Sequence, residues 1–188
     1  MNKWVLDLLR SKQTIFSVRD LGQFIWHGSD AYLRNRISFL EKKWIIKNVA
    51  RGIYATRGEY DRFELANKIY SPSYISFFSA LYYHKVIFQY QSDVYLAYRK
   101  TDTKKLKDFS IILKNLKSNL LFNPEGILVQ EFYSIAGRER AFLDTLYIFW
   151  ETYFDNLSHM DWEYVLRLVK IYDSLKLERL VQTYIPHK

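Results

Sequence analysis

The chain has 188 residues, 49% of them hydrophobic and 26% charged, with 28 Lys and Arg against 20 Asp and Glu. That is the make-up of a soluble globular protein of one domain or two small ones, with little room for long disorder. Cys is absent, which excludes disulfides, thiolate metal sites and Cys nucleophiles and suits a reducing cytoplasm. Residues 1–57 hold 11 basic and 4 acidic side chains and so carry seven of the eight net positive charges. The remainder is nearly balanced.

At the start, Trp4, Leu8 and Leu9 recur at helical spacing and predict a helix from about Asn2 to Ser11. Asp7 and Arg10 interrupt any signal-peptide apolar core there. Ser17 is placed to cap a second helix, Val18 to about Ile25, with Phe16 and Leu21 at the positions of a hydrophobic staple. Gly28 then breaks the helix and Ser29 caps the next. In that third helix, about Asp30 to Lys43, Leu33, Ile37 and Leu40 fall on one stripe that should pack inward. The opposite arc carries Ala31, Asn35, Ser38 and Lys42, flanked by Tyr32 and Arg34. Asn can bond an adenine edge and Arg a guanine edge, and small residues let the backbone approach a groove closely. Trp44 to Asn48 and Ile53 to Thr56 are β-prone, joined by Val49-Ala50-Arg51-Gly52, so a hairpin follows whose tip presents Lys47, Asn48 and Arg51 to phosphates or a minor groove.

These elements spell a helix-turn-helix with a wing, and the segregated positive charge is the footprint of a DNA-binding head. A basic winged helix used only for packing against protein is the other reading. The local charge and the polar outward face favour DNA.

Further along, Asp61 and Glu64 make a box-like cap for a helix from Phe63 to Ile69. Ser71-Pro72-Ser73 is a turn, and Ile75 to Tyr83 reads as an apolar helix begun by Ser76. Val86 to Tyr90 and Val94 to Tyr98 alternate about Gln91-Ser92-Asp93 as a β-hairpin, and Phe109 to Leu113 is another strand. Between them the basic run from Arg99 to Lys107 reads as a solvated loop, or a second phosphate contact. Asn123-Pro124-Glu125-Gly126 is a turn before a strand at Ile127 to Glu131. Arg138 to Trp150 is a strong helix, packing through Ala141, Phe142, Leu146 and Phe149. Two apolar-striped helices, about Asp161 to Tyr172 and Leu175 to Tyr184, close the chain. The most apolar stretch, Tyr74 to Phe88, is broken by His84 and Lys85 and is too short to span a bilayer. The expected fold class is α+β: an N-terminal winged helix-turn-helix over residues 1–57, then a mixed α/β domain over 58–188 that ends in helices.

Three segments carry a resemblance to a known family: "RISFLEKKWIIKNVARGIYAT" (36–56), "SPSYISFFSALYYHKVI" (71–87) and "RERAFLDTLYIF" (138–149). In order and spacing they resemble the AbiEi antitoxins of type IV toxin–antitoxin (abortive infection) systems. There a wing strand with Arg-Gly-Val/Ile-Tyr leads into a Pro-Ser-Tyr-Ile-Ser helix, and a Glu-Arg/Lys-Ala-x-Leu-Asp helix comes later. The resemblance implies a cytoplasmic transcriptional repressor that binds inverted repeats of its own promoter, as two copies or a dimer. It also implies a second domain that counters a nucleotidyltransferase-like toxin. Onto the recognition helix and wing it carries Arg34, Asn35, Ser38, Lys47 and Arg51 as DNA contacts. Together with the helical wheel the candidate interface is Ser29, Tyr32, Arg34, Asn35, Ser38, Lys42, Lys47, Asn48 and Arg51. Trp44 departs from the pattern, standing near the place where a Gly often follows the recognition helix.

Catalytic constellations are sparse. His27, His84, His159 and His187 show no pair at metal-ligand spacing, and no Gly-x-Ser-x-Gly elbow or phosphate-cradling Gly-rich loop occurs. The Gly28-Ser29 pair lacks the Asp-x-Asp or Asp-x-Glu of a nucleotidyltransferase, whose two-metal chemistry needs clustered carboxylates. No catalytic residue, cofactor, metal or membrane partner is expected. Two alternatives stay open: a winged-helix regulator unrelated to any toxin, and a nuclease built on Glu125, Glu131 and Lys114.

Overall fold

The computed structural model describes residues 3–25, 29–56 and 60–186. It is a mixed α+β protein with two sheets and divides into two compact units, Met1–Ser71 and Pro72–Lys188. Gly28, read as a helix breaker, and residues 57–59 at the expected domain boundary lie outside the described residues, as do His27 and His187.

The first unit runs α1 (Lys3–Arg10), β1 (Ile15–Ser17), α2 (Val18–Ile25), α3 (Asp30–Lys42), β2 (Ile46–Ala50), β3 (Ile53–Thr56) and α4 (Arg62–Ile69). Its core gathers Val5, Leu8, Phe16, Leu21, Ile25, Ile37, Leu40 and Ile46. On α1 Val5 and Leu8 are buried and Trp4 packs against the same core, while Leu9, expected on this stripe, is exposed. Phe16 and Leu21 both reach the core as the staple requires. Ser17 and Asp20 close a reciprocal cap: the Asp20 N–H donates to Ser17 Oγ at 3.1 Å, and the Ser17 N–H donates to Asp20 Oδ2 at 2.7 Å. β1, too short to show as a strand in sequence, pairs antiparallel with β3, and β3 pairs with β2.

Helix α4 belongs to this unit, so the compact module extends to Ser71 rather than ending at residue 57. The reason is Glu64, only 1% exposed. Asp61 caps α4, accepting from the N–H groups of Phe63 and Glu64, but Glu64 does not return the bond as a capping box would. Its carboxylate instead accepts from the Thr14 hydroxyl at 2.6 Å and from the N–H groups of Thr14 and Ile15 at 2.9 and 3.0 Å. A buried carboxylate must find donors, and the backbone entering β1 supplies them. Lys68 adds an ion pair to Asp20 at 2.8 Å. Burial raises the Asp20 pKa, but the bonds from Lys68 and Ser17 outweigh it and hold the carboxyl below its ordinary range.

The second unit contains β4 (Tyr74–Ile75), α5 (Phe77–Tyr83), β5 (Val94–Tyr98), β6 (Asp102–Lys105), β7 (Ser110–Asn115), α6 (Ser118–Leu121), β8 (Ile127–Val129), β9 (Ser134–Ala136), α7 (Arg138–Phe149), α8 (Trp162–Leu168), a 3₁₀ turn (Val169–Tyr172) and α9 (Leu175–Gln182). Its six-stranded sheet has the order β6-β7-β5-β4-β9-β8, with β5 parallel to β7 and β4 parallel to β9. Three expectations are corrected here. Residues 86–90 form no strand, because both sides of β5 are taken by β4 and β7. The basic run 99–107 is not a loop throughout: Asp102–Lys105 pairs antiparallel with β7 as a sheet edge, where Lys104 and Lys105 discourage further pairing. Ile75 lies in β4, so α5 starts two residues later than expected. No helix among the described residues is long and apolar enough to cross a membrane.

Candidate nucleic-acid interface

Helix α3 is built to show one face and bury the other. Ser29 caps it, its backbone extended at φ −73° and ψ 166° and its hydroxyl accepting from the Tyr32 N–H at 3.4 Å. Asp30 in the first turn and Lys42 in the last complement the helix dipole. Ile37 and Leu40 are buried, with Leu33 packed against the same core. All nine candidate residues, Ser29, Tyr32, Arg34, Asn35, Ser38, Lys42, Lys47, Asn48 and Arg51, are exposed. On α3, Asn35, Ser38 and Lys42 share the arc opposite the core with Ala31. Arg34 borders it on one side and Tyr32 on the other, where the Arg36 guanidinium lies 5.0 Å from the ring centre.

The hairpin is shorter at its tip than the sequence predicts. Ala50 pairs with Ile53 across a two-residue turn, Arg51-Gly52, and Gly52 takes φ +69°. Val49 and Ala50 are therefore strand rather than loop. Only Arg51 stands at the turn, while Lys47 and Asn48 lie back along β2. A bulge between Asn48 and Ala50 absorbs one extra residue and re-aims side chains as bulges do.

The junction between α3 and β2 explains the departure at Trp44. The Ile45 N–H donates to the Leu40 carbonyl at 2.9 Å and the Trp44 N–H to the Glu41 carbonyl at 2.9 Å. This is a Schellman ending, and its left-handed position falls on Trp44, at φ 57°. Glycine is the ordinary occupant. Trp44 fills it with the ring 70% exposed.

The electrostatics favour an anion. Between Arg34 and Arg51 stand Arg34, Arg36, Lys42, Lys43, Lys47 and Arg51 against Glu41 alone. Ion pairs join Lys68 to Asp20, Lys100 to Asp102 and Arg140 to Asp144. None of them neutralises these cations, so their field projects into solvent.

In the second unit the two remaining segments of the resemblance meet in one buried polar cluster. Asp144 accepts from the hydroxyls of Ser76 at 2.7 Å, Tyr74 at 3.0 Å and Tyr172 at 2.6 Å. Arg140 donates to Asp144 at 3.2 Å, to the Tyr74 oxygen at 3.0 Å, and to the carbonyls of Leu120 and Glu125 at 2.8 and 2.9 Å. Burial, then the Asp144 charge, raises both phenols far above their ordinary pKa, which keeps them as donors. Ser76, expected as a helix cap, makes no cap bond because its hydroxyl serves Asp144. Tyr172 joins from a segment where nothing in the sequence marks it apart from other apolar-stripe residues. Gly126 holds φ +75° beside this cluster, and a Cβ there would stand 2.9 Å from Arg140 Cβ.

The residues weighed for catalysis lie on separate elements, Lys114 on β7, Glu125 before β8 and Glu131 after it. Glu125 and Glu131 are exposed, and the Lys114 ammonium lies 4.9 Å from the centre of the Phe149 ring. Among the described residues no three His, Asp or Glu side chains are grouped to hold a metal ion. His84 Nε2 is 2.9 Å from the Ala136 carbonyl. Neither a protein-family model nor any curated protein matches the chain.

Proposed function

We propose that the first unit is a winged helix-turn-helix that binds duplex DNA by sequence. Helix α3 enters the major groove and the β2–β3 hairpin, as the wing, holds the adjacent backbone. The single observation that carries this reading is α3 itself: one face is sealed into the core, and the other offers Arg34, Asn35, Ser38 and Lys42 with no acidic partner among the described residues. The order helix, strand, helix, helix, strand, strand, with β3 central in its sheet, is the order such a module needs. One module reads one half-site, so two copies or a dimer occupy an inverted repeat. In this reading the chain is a repressor of its own promoter and the antitoxin of a type IV pair, countering a nucleotidyltransferase-like toxin. The toxin-countering role rests on the resemblance of residues 71–87 and 138–149, which support it by meeting in one cluster.

A footprint on the upstream region of the protein's own coding sequence, at two salt concentrations, tests the DNA reading. Protection of an inverted repeat, weakening steeply with salt, is expected. Unchanged affinity in an Arg34→Ala, Asn35→Ala, Arg51→Ala triple variant would sink this binding mode. Co-expression of the full chain with the nucleotidyltransferase-like protein encoded beside it tests the second role. Growth should be rescued, and the triple variant should rescue equally when both proteins are made from independent promoters.

A further inference from the structure

Two rings on α3 stand partly in solvent on the side of the helix away from the core. Phe39 is 42% exposed and Tyr32 38%. The partly buried hydrophobic side chains set against the core of this unit are Trp4, Phe24, Leu33, Ile45 and Tyr54 among the described residues. The part of the Phe39 ring left in water adds nothing to folding and is apolar area open to a partner. It also has no polar handle, so it cannot hold a phosphate or bond a base edge. Tyr32 is occupied in another way, with the Arg36 guanidinium over its ring. Phe39 is the side chain that the fold and the charge pattern leave unexplained.

Its position supplies the explanation. Phe39 follows Asn35 by four residues and precedes Lys42 by three, so it neighbours both on the helix surface. Helical side chains lean toward the N-terminus, which brings the ring over the turn that carries Asn35. The bases show one apolar group in the major groove, the C5 methyl of thymine. A ring placed there against a G·C pair would cover polar edges without satisfying them. Phosphate contacts from the surrounding cations are the same for every sequence and do not perform this discrimination.

We infer that Phe39 is a specificity residue whose ring contacts the C5 methyl of a thymine beside the base pair read by Asn35, so that the bound site carries an A·T pair there. This rests on the DNA reading above and adds to it a chemical preference at one position.

The test uses the full-length protein and duplexes that it selects from a random pool. Each thymine of the selected site is replaced in turn by deoxyuridine, which removes only the methyl. At one thymine the wild type should bind about fourfold more weakly, the worth of one buried methyl. Phe39→Ala should no longer distinguish the two bases at that position, while keeping the wild-type salt dependence because its phosphate contacts remain. Phe39→Gln, which retains a straight side chain with good helix propensity, is the second variant should the first lose its thermal unfolding transition. Indifference to deoxyuridine at every thymine overturns the inference and leaves the DNA reading standing, as does sensitivity that survives in both variants. Recovery of no duplex at any salt concentration overturns both together.

Discussion

Arg140 and Asp144 lie one turn apart on α7, both wholly removed from solvent, with Nε 3.2 Å from Oδ1. A buried ion pair seldom recovers its desolvation cost through Coulomb attraction alone. Here four segments complete it: Tyr74 of β4 with Ser76 just after it, the Leu120 carbonyl of α6, the Glu125 carbonyl, and Tyr172 of the 3₁₀ turn. Among the described residues no buried side-chain nitrogen or oxygen lacks a partner. The pair therefore sets the geometry of the unit more than it adds stability.

Removing one partner should be far more harmful than removing both. Asp144→Asn leaves the guanidinium buried without its counter-charge and should lower the unfolding free energy by about 3–5 kcal/mol. Replacing the pair together, Arg140→Met with Asp144→Leu, should cost distinctly less than the sum of the single changes. Tyr172→Phe, which strips one donor from a carboxylate, should cost about 1–3 kcal/mol. Urea denaturation of the full chain measures all three as midpoint shifts at constant slope. An Asp144→Asn variant as stable as the wild type would remove the cluster from any structural role.

His84 gives the second unit a defined acid sensitivity. Burial lowers its pKa below the ordinary 6.5; the Ala136 carbonyl and Glu139 oppose this, and Arg138 reinforces it. A histidine depressed in the folded state contributes stability in full above the unfolded value and loses it as pH falls through the folded one. Melting temperature should thus decline as pH drops below about 6.5, and His84→Gln should flatten that decline. Asp20 acts in a separate window. Its pKa lies below the ordinary 3.8, so its contribution is complete above that value and disappears only in stronger acid. Equal pH profiles for wild type and His84→Gln between pH 7.5 and 5.5 would refute the assignment (both values are bounds about the ordinary histidine pKa of roughly 6.5).

What was legible in the sequence follows from local physics. α2 and α3 could be read because Ser17 and Ser29 cap them and their apolar residues repeat at helical spacing, and the outward face of α3 came with them. The strands β1, β4 and β9, of three, two and three residues, carry too little alternation to register. They exist because partners distant in sequence pair with them. Glu64 misled for the same reason: three residues after Asp61 it looks like a box partner, and only folding brings Thr14 within its reach. The hairpin tip is narrower than the sequence suggests: only the pairing of Ala50 with Ile53 sets Lys47 and Asn48 back from it. The Asp144 cluster was invisible as a cluster. In sequence Ser76 reads as a helix cap, Arg140 and Asp144 as part of one helix segment, and Tyr172 as the end of another helix.

Trp44 and Lys85 make a matched pair of strained endings. Both occupy the left-handed position of a Schellman motif, at φ 57° and 59°, and after Lys85 the Val86 N–H donates to the Leu81 carbonyl at 2.9 Å. A side chain in that conformation costs roughly 1–2 kcal/mol that glycine avoids. Because both residues are exposed, little burial is lost on truncation. Trp44→Gly and Lys85→Gly should each raise the unfolding free energy by about 1 kcal/mol. Calorimetry of the two variants would read this as a higher melting temperature; a lower one for Trp44→Gly would mean that the ring supports the fold after all.

The nine exposed candidates should separate into residues that choose a sequence and residues that only hold it. Arg34 and Asn35 are exposed on α3, and in the proposed binding mode a bidentate contact from either to one base is worth roughly 1–3 kcal/mol of discrimination. Alanine at either should weaken the selected duplex by about that amount and relax preference at one base pair. Lys47 lies on edge strand β2, back from the turn, and in the same binding mode it holds phosphate. Lys47→Ala should weaken selected and scrambled duplexes alike and reduce the slope of log affinity against log salt by about one unit. Arg51, alone beside Gly52 at the turn, should behave as Lys47 does if the hairpin grips backbone, and as Arg34 does if the turn enters a minor groove. Fluorescence anisotropy with selected and scrambled duplexes over a salt series distinguishes the two classes. An Asn35→Ala variant that weakens both duplexes equally would show that α3 grips the backbone and reads no bases.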